Sequence, residues 1–123
     1  MNIREVDPVT PFEACFASEN MEMTAAGPRV PEIELMLQSE MVGWKIQGRN
    51  SMVKVNDETL CLGFVDGGSK PRNAVVLGGN QLEDIVLNFD MGTSMLGFSS
   101  SLLQRKRSCS EFSPENLLKR RVQ

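Results

Sequence analysis

Two aspartates in this chain have a glycine two residues further on, in Asp66-Gly67-Gly68 and Asp90-Met91-Gly92. They are its nearest approach to a carboxylate displayed on a turn for acid–base work. A carboxylate dyad needs two acids sharing one proton around a water, each presented on an Asp-Thr-Gly or Asp-Ser-Gly turn. Neither tripeptide occurs in the sequence. Histidine is absent and no Cys-x-x-Cys pair exists, which excludes zinc fingers, zinc ribbons and the Ser-His and Cys-His nucleophile systems. Asp57, Glu58, Asp66, Glu83 and Asp84 supply acids for a calcium loop, but their spacing is not that of a calcium ligand set, and they read as solvated loop charges. Gly78-Gly79 ahead of a short helix suggests a phosphate cradle. That motif needs a longer glycine pattern and usually a lysine, so the pair reads instead as a close backbone approach. No cofactor and no metal are expected.

The three cysteines, Cys15, Cys61 and Cys109, form an odd and widely spaced set. Their types allow either one disulfide with a leftover thiol or three buried apolar cysteines. Net charge is −3, unevenly placed: residues 1–103 carry 7 basic and 14 acidic side chains, residues 104–123 carry 6 and 2. An acidic body repels phosphates, so nucleic acid is not an expected partner. The basic end, "QRKRS" and "LLKRRVQ", reads as a solvated terminus, mobile from Gln104 onward. No apolar run approaches the roughly 18 residues of a membrane span. "MNIREVDPVTPF" lacks the regions of a signal peptide, so no secretory route is expected of the chain as written.

Chain length allows one domain with a modest core. Residues 7–31 are punctuated by Pro8, Pro11, Pro28 and Pro31 and read as irregular chain with one strand around Cys15. "EIELMLQ" alternates Ile33, Leu35 and Leu37 with polar neighbours, the period of a half-buried strand. "GWKIQG", "SMVKVND" and "TLCLGFVDGG" continue the pattern with turn signals between them. Trp44 could stack on a sugar, but a lone tryptophan on such a strand reads as core. "AVVLG" fits a buried strand over Val75–Leu77, and "NQLED" is long enough for one helical turn. "IVLNFD" and "SMLGFS" form a hairpin, with Ile85–Phe89 pairing Met95–Phe98 and Asp90 through Ser94 as the link. Ser113-Pro114 reads as the cap and first position of a short helix. Strands at about ten-residue intervals with little helix give an all-β domain.

These elements, in this order, resemble the C-terminal lobe of pepsin-like aspartic proteases. Val76-Leu77-Gly78 matches the hydrophobic-hydrophobic-Gly element of that lobe, and Asn88-Phe89-Asp90 with Leu96-Gly97-Phe98 matches its closing hairpin. Active members usually carry Asp where this chain has Gly79. With "PFEACF", "WKIQGRNSMV", "CLGFVDGGS" and "GGNQLED", the sequence is most similar to the plant branch of extracellular dermal glycoproteins, basic 7S globulins and xylanase inhibitors. The resemblance covers residues 1–112 and leaves 113–123 as a basic tail. It begins at Met1, where family members run on from an N-terminal lobe, so the chain is expected to match about the last third of a longer protein.

The resemblance implies an all-β partial lobe of mixed and antiparallel sheets with one short helical turn. It implies a fold that has generally lost proteolysis and been reused for binding, often of secreted glycoside hydrolases, in the extracellular space or cell wall. The alternative is a piece of an aspartic endopeptidase whose catalytic aspartates lie outside this sequence. By the same resemblance Cys15 pairs with Cys61, and Cys109 is left without a partner. Cereal xylanase inhibitors place a histidine in the loop matching "SLLQRKRS". Here the loop offers Gln104, Arg105 and Lys106, and Arg105 could pair with a glycosidase's carboxylates without copying an imidazole.

Overall fold

The computed structural model describes residues 3–112 and Glu115. Ten short strands dominate, and every strand pair among the described residues is antiparallel. The central sheet has the order β1-β2-β8-β7, built from Glu5–Val6, Cys15–Ala17, Thr59–Leu62 and Met52–Asn56. Three two-stranded ribbons surround it: β3 (Met23–Thr24) with β4 (Gly27–Pro28), β5 (Ile33–Met36) with β6 (Gly43–Ile46), and β9 (Leu87–Asp90) with β10 (Met95–Phe98). Single helical turns, α1 (Gly48–Ser51) and α2 (Gly79–Leu82), join them.

Local chemistry accounts for the strand ends. In β5 the residues alternate between half-buried Ile33 and Leu35 and exposed Glu34 and Met36, as a one-sided strand requires. β7 and β8 meet through a tight connection in which the Asn56 carboxamide oxygen accepts the Glu58 N–H at 2.9 Å. Gly27 is held at φ +95°, and a Cβ there would run into the backbone of Arg49, so the turn from β3 to β4 and its seat against α1 require glycine.

Apolar packing divides into two clusters. Met21, Met52 and Leu60 form one beneath the central sheet, with Phe16, Val30 and Leu62 around them. Trp44, Ile46 and Ile85 form the other, packed by Leu35, Phe64, Leu77, Leu82, Leu87 and Phe98. Trp44 is 5% exposed and stacks on Phe98 with ring centroids 5.0 Å apart. It is a core residue, and its indole face is not open to a sugar. Cys15 and Cys61 lie directly opposite one another on β2 and β8 and are joined as a disulfide.

The two clusters are tied by buried amides. Asn50, 1% exposed, donates from Nδ2 to the carbonyls of Asn80 (3.0 Å) and Glu83 (2.7 Å). Asn80 returns a bond from its own Nδ2 to the Asn50 carbonyl at 3.1 Å. Gln81 donates to the Gly63 carbonyl at 3.1 Å and accepts the Gly78 N–H at 2.9 Å. The first helical turn is thereby stitched to the second, and both to the end of β8.

Several expectations are corrected. Val75–Leu77 is not a buried strand: no strand runs beside it among the described residues, so its backbone has no ladder to join, and Val75 and Val76 are 54% and 74% exposed. Ile85 and Val86 precede β9, and Asp90 is its last residue, paired with Met95, so the link is Met91–Ser94. The region from 7 to 31 holds the β3–β4 hairpin besides the strand at Cys15, because Gly27 supplies the positive φ that closes it. Among the described residues there are two α-helical turns where one was expected, and the sheets are antiparallel. Residues 104–112 are not a loose tail but form parts of two 3-10 turns, Leu102–Arg105 and Cys109–Phe112. The helix expected at Ser113-Pro114 lies outside the described residues apart from Glu115.

Replacing Asn50 with alanine removes the donor from two part-buried carbonyls and is expected to cost about 1–2 kcal/mol. The reading comes from urea unfolding followed by tryptophan fluorescence; a loss below a few tenths of that would remove the amide tie from the account. Replacing Cys15 and Cys61 together by alanine is expected to cost about 4 kcal/mol in the same assay, since a link spanning 46 residues removes that much chain entropy from the unfolded state.

Candidate functional site

Two segments picked out by sequence converge on the turn after α2. Gly78, extended at the N-cap of α2, accepts the Leu82 N–H at 3.2 Å and gives its own N–H to Gln81. The Val76-Leu77-Gly78 element therefore leads straight into the amide network. Leu77 packs into the Trp44 cluster while Val76 faces solvent. Gly79 does not mark a close backbone approach among the described residues: a Cβ on it would meet nothing within 4 Å. Within the described residues the paired glycines lie at the entry of α2.

The other segment is the loop carrying Gln104, Arg105 and Lys106. Ser101, buried, caps its 3-10 turn by accepting the Leu103 N–H at 3.3 Å. Lys106 closes that turn in a left-handed conformation at φ 56°, its N–H reaching the Leu103 carbonyl at 3.0 Å. Asp84 holds the loop at both ends. Its carbonyl accepts the Leu102 N–H at 2.8 Å and its carboxylate accepts the Cys109 N–H at 2.9 Å. Cys109 is a free, exposed thiol. Gln104, Arg105 and Lys106 are exposed, and Arg107 is paired with Glu111 at 3.0 Å.

Both Asp-x-Gly strings serve turns. The Asp66 carboxylate accepts the Gly68 N–H at 2.8 Å, and the Asp90 carboxylate accepts the Gly92 N–H at 3.0 Å and the Thr93 N–H at 3.2 Å. Each carboxylate shapes its own loop. Among the described residues no three of His, Cys, Asp and Glu gather where they could hold a metal ion. No helix among them is long and apolar enough to cross a membrane.

Sequence reasoning passed over Asn50, Gln81 and Asp84 as organisers. Asn50 sits in "WKIQGRNSMV" with nothing to set it apart from a loop asparagine. For Asp84, the one available signal was its place directly after a short helix, where a polar residue able to adopt positive φ is needed; its φ is 56°.

A disulfide-stapled lobe of short antiparallel strands, with its paired glycines opening a helical turn and its aspartates confined to loops, has the build of an aspartic-protease-like lobe that carries no catalytic turn of its own. Residues 1–100 match the family described as xylanase inhibitor C-terminal, and the chain belongs to that family. It is 53% identical over 112 residues to the protein named "Probable aspartic proteinase GIP2" of Nicotiana benthamiana, covering 91% of this chain and 26% of that protein. Gamma conglutin 1 of Prunus dulcis is 44% identical over 111 residues, covering 89% of this chain and 26% of the conglutin. The crystal structure of edgp superposes with a TM-score of 0.86 at 52% identity, covering 90% of this chain and 27% of the other. The chain thus spans about a quarter of the length of the relatives it matches.

One carboxyl has a perturbed acidity. The hydroxyl and N–H of Thr93, with the N–H of Gly92, hold the Asp90 carboxyl below its ordinary value of 3.8. A carboxyl lowered in the folded state stabilises the turn above its unfolded value, and that contribution disappears as pH falls through the lower, folded value. Carbon-detected NMR titration is expected to place the Asp90 midpoint below 3.8, with the Gly92 and Thr93 amides shifting in step; a midpoint at or above the ordinary value would contradict the turn geometry.

Proposed function

We propose that this chain is a non-catalytic binding lobe of inhibitor type, whose partner is a secreted glycoside hydrolase and whose contact runs through the loop at Gln104, Arg105 and Lys106. The observation that carries the reading is the fate of the Asp-x-Gly strings. No Asp-Thr-Gly or Asp-Ser-Gly turn exists in the sequence, and Asp66 and Asp90 are both engaged by backbone N–H groups of their own turns. The family description, xylanase inhibitor C-terminal, supports the partner class. Glycosidases present two carboxyl groups across the scissile bond, and an exposed cationic loop is the complementary charge. The Cys15–Cys61 disulfide supports an oxidising setting outside the cytosol.

A second reading is favoured by the name of the Nicotiana benthamiana relative: a portion of an aspartic endopeptidase. The two separate cleanly. Purified chain incubated with casein at acid pH is expected to release no peptides that pepstatin suppresses, and to bind a purified endo-xylanase in surface plasmon resonance. Pepstatin-sensitive cleavage would establish the second reading. Absence of both cleavage and xylanase binding would remove the glycoside hydrolase from the first.

A further inference from the structure

Asp84 stands between the amide network and the loop, and nothing in the proposed function assigns it a role. It is nearly buried and left-handed, a conformation a non-glycine residue keeps only when its surroundings hold it there. On one side the preceding Glu83 is fixed to α1 twice, through the Asn50 bond to its carbonyl and an Arg49–Glu83 ion pair of 2.8 Å. On the other side Asp84 takes both Leu102 N–H and Cys109 N–H, the first with its main-chain carbonyl and the second with its carboxylate. A stretch seven residues long in sequence separation is thus returned to a single residue. Within it the Arg107 N–H reaches back to the Leu102 carbonyl at 3.0 Å.

From this arrangement we infer that Asp84 is the positioning residue of a preorganised cationic turn, and that the turn presents Arg105 and Lys106 to a pair of carboxylates on the partner protein. The inference rests on the glycoside-hydrolase reading for its occupant, but not for the clamp. Among the described residues Arg105 and Lys106 make no ion pair, whereas the next cation, Arg107, is held by Glu111. Two adjacent cations that make no ion pair among the described residues, on a loop tied to Asp84 at both ends, keep their charges available. Fixing the loop before contact removes the ordering cost that a free segment would meet on binding. Arginine supplies a planar fork matched to a carboxylate, and lysine a point charge beside it.

The test compares two substitutions at one position. Asp84→Gly accepts the left-handed backbone without strain but removes the carboxylate, while Asp84→Asn keeps an oxygen acceptor and also tolerates that backbone. In the free protein, exchange of the Cys109 amide is expected to speed up about tenfold or more in Asp84→Gly and to stay near the parent rate in Asp84→Asn, with the Ile46 amide unchanged in both. Binding of a purified endo-xylanase is expected to weaken by about tenfold in Asp84→Gly and in an Arg105→Ala/Lys106→Ala double variant, to recover in Asp84→Asn, and to fall with added salt in the parent but far less in the double variant. Equal Cys109 exchange in all three proteins overturns the clamp. A slow Cys109 amide in a parent chain that binds no xylanase upholds the clamp and overturns the assigned occupant together with the function it rests on. Xylanase binding that ignores both the double variant and salt overturns the cationic turn as the contact while leaving the glycoside-hydrolase reading standing.

Discussion

The buried carboxamide of Asn50 is the constraint on which the arrangement of this lobe depends. It has no apolar alternative, because two carbonyls from the α2 turn point at it and a carbonyl without a donor is costly away from water. Its other atom, Oδ1, finds no donor among the described residues, so the two bonds from Nδ2 carry the whole interaction. The start of the segment C-terminal to α2 is placed by this contact, by Gln81 beside it and by the Arg49–Glu83 ion pair.

Two modest clusters would otherwise be free to slide past each other. The Met21–Met52–Leu60 group belongs to the central sheet, and the Trp44–Ile46–Ile85 group belongs to the ribbons. Apolar packing sets no direction, since burial is roughly proportional to area and indifferent to register. Directional amide bonds choose one arrangement from the many that would bury the same side chains. The Trp44–Phe98 stack then fixes the β9–β10 ribbon against this frame. Further along the same ribbon the apolar face runs out of core: Phe89 is 66% exposed although it lies in register with Leu96. The ribbon is seated by its base alone.

Most strands were legible because their chemistry is local. Ile33, Leu35 and Trp44 announce themselves by alternation, Gly43 and Asn56 by the turns beside them, and the closing hairpin by Gly92 and Thr93 between two apolar runs. Val75–Leu77 was misread for the opposite reason. Three apolar residues show that a segment prefers to be covered, but only a neighbouring strand makes it a strand, and pairing is not written in the segment itself. The loop at 101–109 was misread through its charge: Arg105, Lys106 and Arg107 suggested solvation, while the order comes from Ser101 and from Asp84, seventeen positions before Ser101 in sequence. The disulfide and the hydrophobic-Gly element were reached through family resemblance, since spacing left the pairing of three cysteines open.

The position of the disulfide gives the lobe two unequal responses to being cut. Cys15 and Cys61 enclose a covalent ring that contains β3 to β7 and the exposed connection around Met41. A protease that nicks the chain inside that ring produces two segments that remain one molecule. The exposed loop at 66–73 lies outside it. A nick there leaves α2, the closing ribbon and the cationic turn attached by nothing stronger than four amide hydrogen bonds, the Arg49–Glu83 ion pair and the packing around Trp44. The segment proposed for partner contact is thus the detachable one, and its lifetime in a protease-rich fluid is set by how rarely that loop is cleaved.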